Sequence, residues 1–142
     1  MKKNNNTNPL DGVFSALEGL IASFFDKLMP RGSFAVLPPG EITKRFQEIE
    51  KMESKLAIIE ADKLVDTVLK KAGSKGESLG ERLRGVQKLV SRDVYSNMWE
   101  AHKVRNQIVH DHDFDIRSVD HNLVIYRMKK FLIELGAFKN EQ

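Results

Sequence analysis

The chain of 142 residues contains no cysteine. Disulfides, thiolate nucleophiles and Cys-based zinc sites are therefore excluded, which fits a reducing, cytoplasmic compartment. Proline is scarce too. Three of the four prolines fall within residues 30–40, together with Gly32 and Gly40. That segment reads as a linker, with a short extended piece at 34–37. No long uncharged run exists. The apolar stretch 10–29 is interrupted by Asp11, Glu18 and Asp26, and no small-residue cleavage site follows it. It therefore reads neither as a signal peptide nor as a membrane span, which needs about 20 mostly uncharged residues. Strand-like alternation and internal repeats are also missing. The glycines Gly73, Gly76 and Gly80 lack the Lys-Ser/Thr ending of a phosphate loop, so they mark a turn and not a nucleotide cradle. The formal net charge is only +3, and Lys and Glu are interleaved, which permits nucleic-acid binding without demanding it.

What is present is helical periodicity. Residues 1–9 are Asn-rich and read as a disordered tail. Residues 10–29 carry Leu10, Val13, Phe14, Leu17, Leu20, Ile21, Phe24, Phe25 and Leu28 at helical spacing. This is an amphipathic helix that packs on its own domain or docks on a partner. Lys27 is its only basic residue, so contact with an anionic membrane surface is disfavoured. The compact domain is expected at 41–138. One long helix is predicted over 41–72, since no Gly or Pro interrupts Ile42, Phe46, Ile49, Met52, Leu56, Ile59, Leu64, Val68 and Leu69. A second runs over 79–91 behind Ser78 as N-cap, with Leu79, Leu83, Val86, Leu89 and Val90 inward. A third spans 94–110, capped by Asp93. After a polar loop the last helix covers 118–135, anchored by Val119, Leu123, Tyr126, Phe131, Leu132 and Leu135 and ended by Gly136. The expected architecture is an all-α four-helix up-and-down bundle with an extra N-terminal helix.

The third helix carries the chemistry. Each helical residue turns about 100°, so Arg105 and His110 lie roughly 140° apart around the axis. Arg105 falls inside the apolar arc of Met98, Ala101, Val104, Ile108 and Val109. An Arg there must snorkel outward, pair with a carboxylate such as Asp62 or Glu60, or serve an interface. Trp99, His102, Asn106 and His110 form a stripe at i, i+3 or i+4 steps, with Lys103 on the exposed side. Arg and His together suit a phosphodiester: the guanidinium braces the phosphate, and the imidazole moves protons near neutral pH. One His cannot easily be acid and base at once, and a two-fold dimer would supply a second copy of the helix.

Trp99-Glu100-Ala101-His102-Lys103-Val104-Arg105-Asn106-Gln107-Ile108-Val109-His110 resembles the motif helix of HEPN-domain proteins. In that family an Arg, often followed by a polar residue, precedes a His by four to six intervening positions. Here four intervene, and the polar residue is Asn106. The motif stands at the end of a helix, with one amphipathic helix after it and a Gly-rich turn before it. Residues 60–66 and 76–83 are also similar to small bacterial HEPN-like proteins, so the resemblance covers about 41–138. It implies a helical bundle that dimerises through its motif helices. It further implies a metal-independent endoribonuclease of toxin–antitoxin, defence or RNA-processing type, or a relative that has lost catalysis and binds partners. Arg105 and His110 would be the catalytic pair and Asn106 their companion; Trp99, His102 and Lys103 on the same helix are, apart from the resemblance, candidate binding residues. An antitoxin of nucleotidyltransferase type is the implied protein partner, and no cofactor is implied.

The dense run His110-Asp111-His112-Asp113-Phe114-Asp115 fails as an EF-hand, with Ile116 at the glycine position and Asn122 at the glutamate position. A transition-metal site from His110, His112 and His121 has no recognised spacing. The run reads as a solvated acidic loop, and no metal is assigned.

Overall fold

The computed structural model divides the chain into two units, Met1–Arg31 and Gly32–Gln142. It describes residues 33–139. The expected tail and helix of residues 1–29 lie outside the described residues. Among the described residues five α-helices follow one another: α1 (Glu41–Ile49), α2 (Ser54–Lys71), α3 (Leu79–Gly85), α4 (Arg92–His110) and α5 (His121–Glu134). Short 3-10 turns stand at Gln87–Leu89 and Ile116–Ser118. No strand occurs among the described residues, so this unit is all-α as expected.

The long helix expected over 41–72 is in fact two. Ile42, Phe46 and Ile49 are buried on α1, and Ala57, Ile58, Ala61, Leu64 and Val65 on α2. On one continuous helix these stripes would point roughly 100° apart. The break rotates them onto a common core. Lys51 and Met52 donate their N–H groups back to Glu48 and Ile49 at 3.2 and 3.0 Å, closing the first helix tightly. Glu53 then opens the next: its carboxylate accepts from the N–H groups of Lys55 and Leu56. Met52 and Leu56, expected to carry the stripe across, are 36% and 46% exposed.

Three other boundaries move for similar reasons. Ser78 caps α3 as expected, accepting from Glu81 N–H. The helix ends at Gly85 instead of Ser91, and Leu89 is exposed. Ser91, not Asp93, is the N-cap of α4, so that helix starts at Arg92. Its own N–H donates to Glu134 on α5. Asp120 caps α5 through Leu123 N–H, which starts that helix at His121. The buried face of α5 is Val124, Ile125, Met128, Phe131 and Leu132, while Leu123 and Tyr126 face outward. Gly136 does end this helix: its φ of 80° is open to glycine, and the Gly136 and Ala137 N–H groups close on Ile133 and Leu132.

Helix α5 packs against both α4 and α2 and so closes the core. Phe131, Met128, Leu132, Met98, Ile58, Val65 and Leu83 are all fully buried there. Phe34 precedes the first helix yet is buried in the same cluster, with Val36 and Leu37 beside it. Phe138 returns from the other end to stack on Phe46 at 6.0 Å. Phe131→Ala is expected to cost about 3–5 kcal/mol in urea unfolding, a transfer loss plus an unfilled cavity. The Glu53 carboxyl is held below the ordinary glutamate range, first by the Lys55 N–H and then by the Leu56 N–H. Its contribution is present above that range and fades as pH falls through the lowered folded value. Glu53→Ala should therefore lower Tm at neutral pH, and the gap to the parent should close on acidification in a pH series of melts.

Candidate functional site

Residues Trp99, His102, Arg105 and Asn106 recur at three- and four-residue steps, so α4 presents them along one side. That side faces Asp62 and Asp66 of α2 and the segment Ser78–Glu81 with Arg84 of α3. Together they line a cleft of about 750 Å³. Trp99 fits because α3 carries Gly80 at the point of contact: a β-carbon there would stand 3.1 Å from the indole Cη2. The Arg84 guanidinium of the same helix lies 5.7 Å from the Trp99 ring centre.

Asp62 organises the floor. It lies in the middle of the buried stripe of α2 and is 3% exposed. A carboxylate there needs partners, and α4 supplies two. His102 Nδ1 is 2.8 Å from Asp62 Oδ1. Arg105 Nε, itself sealed from solvent, stands 3.4 Å from Asp62 Oδ2 as an ion pair without hydrogen-bond geometry. The outer edge of Arg105 donates from Nη1 to Asn106 Oδ1 at 3.1 Å. One turn further along α2, Asp66 accepts from Arg82 Nη1 at 2.8 Å and lies 3.3 Å from Lys70 Nζ. Arg82 is buried, so the second aspartate fastens α3 as the first fastens α4.

The structure thus brings together four of the six sequence-derived candidates: Trp99, His102, Arg105 and Asn106. The other two stand apart. Lys103 is exposed and pairs with Glu100 of its own helix at 3.5 Å. His110 is exposed at the last turn of α4 and is not among the residues lining the cleft. Among the described residues, no three His, Asp or Glu side chains gather as a metal cluster. The carboxylate that the angular argument demanded for Arg105 is Asp62, not Glu60. The His102 pairing with the same carboxylate was not anticipated, nor were Arg84, Gly80 and the Asp66–Arg82 bond. An acid inside the apolar stripe of α2 was the available signal.

The charges lining the cleft balance: Lys63, Arg84 and Arg105 against Asp62, Asp66 and Glu81. Field strength is therefore local to the outward edge of Arg105 and to Arg84. No described helix is long and apolar enough to cross a membrane. Comparison with known protein families, curated proteins and solved structures finds no match to this chain.

Removing Asp62 leaves an imidazole and a guanidinium without their partner. Arg105 reaches water at its outer edge, so the loss stays below that of a sealed ion pair. Asp62→Ala is expected to cost about 1–3 kcal/mol in denaturant unfolding, and a value near zero would mean the three groups are not coupled.

Proposed function

We propose that the chain is a HEPN-like, metal-independent endoribonuclease that works as a homodimer. The observation that carries this is the placement of Arg105, Asn106, His102 and Trp99 side by side in one cleft. Such a set suits a phosphodiester with its base: Arg105 for the phosphate oxygens, an imidazole for proton transfer, and an indole edge beside the nucleotide. Arg105 and His110 are five residues apart on α4, a rise of about 7.5 Å combined with a turn of roughly 140°. Within one chain His110 therefore stands around the corner from the cleft. A second copy of α4 across a two-fold axis would return a His110 to a shared cleft. Bacterial toxin, defence and RNA-processing roles fit this chemistry equally.

A second reading rests on the ion pair of Arg105 with Asp62. That contact spends part of the guanidinium charge inside the protomer, as a scaffold would. It favours a non-catalytic HEPN-like module that binds RNA or a protein partner, an antitoxin included, with residues 10–29 as a further docking element.

The two readings separate on one assay. The full chain, in EDTA, should cut single-stranded RNA and leave 2′,3′-cyclic phosphate and 5′-hydroxyl ends. Arg105→Ala should lower the rate on the order of 10²–10³-fold, as loss of one charge-stabilising donor does. His110→Ala should lower it as well. Intact RNA that nevertheless binds, in a salt-sensitive way, supports the module; full cleavage by Arg105→Ala refutes the nuclease assignment of that residue.

A further inference from the structure

Among the described residues, one imidazole lines the cleft, and it has no place in the Arg-to-His motif: His102. We propose that His102, held by Asp62, is the imidazole that meets the phosphodiester and takes the proton from the attacking 2′-hydroxyl. This inference rests on the nuclease reading above and assigns its base.

The geometry is specific. The Asp62 carboxylate sits 2.8 Å from Nδ1, so it accepts from an Nδ1–H and fixes the tautomer. In the neutral ring that acts as base, the lone pair is then on Nε2. That atom has no hydrogen-bond partner among the described residues and is not sealed from solvent, and His102 is among the residues lining the cleft. Trp99 presses edge-on against the ring at 5.9 Å between centroids and limits its rotation. Arg105 follows three residues later, about 4.5 Å along the helix and on nearly the same side. The two oxygens of Asp62 reach His102 and Arg105 separately, so a single carboxylate sets the spacing between proton acceptor and phosphate brace. His110 is eight residues beyond His102, a rise of about 12 Å. That exceeds the reach of one phosphodiester, so the two imidazoles of one chain do not serve the same bond.

The step balances without a metal or co-reactant other than water. The 2′ oxygen bonds to phosphorus and the P–O5′ bond breaks. Nε2 receives the 2′ proton, Nδ1–H stays hydrogen-bonded to Asp62, and the departing 5′ oxygen takes its proton from the His110 that a second copy brings to the shared cleft, which regains it from water. The imidazolium then returns its proton to water. Asp62 touches no substrate in this scheme and is a positioning residue.

The test uses the full-length chain and two RNAs. With cleavable single-stranded RNA, His102→Gln should lower kcat about 10²–10⁴-fold, and free imidazole should restore activity to His102→Ala. With an uncleavable 2′-O-methyl oligomer, the His102 imidazole resonances of the parent protein should shift. This arm needs no variant, so it stands even where His102→Gln fails to fold. Asp62→Asn should exchange the nitrogen-15 signatures of Nδ1 and Nε2 and slow cleavage, since its amide donates where the carboxylate accepted. RNA cut at the parental rate by His102→Gln overturns the inference alone, as does an oligomer that binds without moving His102. RNA left intact by the parent protein overturns the nuclease reading, and the inference with it.

Discussion

Burial of the Asp62 carboxylate is the constraint on which the cleft depends. An ionised oxygen pair removed from water is unfavourable by several kcal/mol unless charges and donors replace the lost hydration. Here replacement comes from two residues one turn apart on the facing helix. The pairing is therefore directional. It fixes the register of α4 along α2, because a slide of one residue would leave Asp62 facing Lys103 or Ala101 instead of His102. Apolar packing, which is tolerant of small slides, does not supply that discrimination.

The same device appears a turn away. Asp66 holds the buried Arg82, and through it the short helix α3. A helix of seven residues has little stability of its own. It is held by the insertion of Leu79 and Leu83 into the core, by the Ser78 cap and by this ion pair. The cleft wall that carries Gly80 and Arg84 is thus secured from below by chemistry on α2. Two aspartates at i and i+4 of one helix position both walls.

Helix existence was legible in the sequence because apolar spacing alone decides it. Ser78 and Gly136 were legible too, since each answers a local need of one helix end. The break after Ile49 was not. It depends on the relative phase of two stripes that meet one core, and phase against a third helix is a tertiary property. Leu123 and Tyr126 misled for a related reason: the periodicity of α5 supports two neighbouring stripes, and only packing against α2 and α4 selects Val124, Ile125 and Met128. For the site, the helical angle placed Arg105 on the inner side and required an acid for it. The angle could not say that His102 would share that acid. Contacts between residues forty positions apart leave no trace in local spacing, apart from the anomaly of an aspartate in an apolar stripe.

Trp99 carries a further consequence. It is the chain's one tryptophan. Its indole sits on the Gly80 backbone, under the Arg84 guanidinium and edge-on to the His102 ring. The tryptophan emission of the protein thus originates within the cleft. Imidazolium formation, displacement of the guanidinium or entry of a stacked base would each alter the environment of that single fluorophore. The unlabelled protein is in this sense its own optical probe, with the signal confined to the place where the chemistry is assigned.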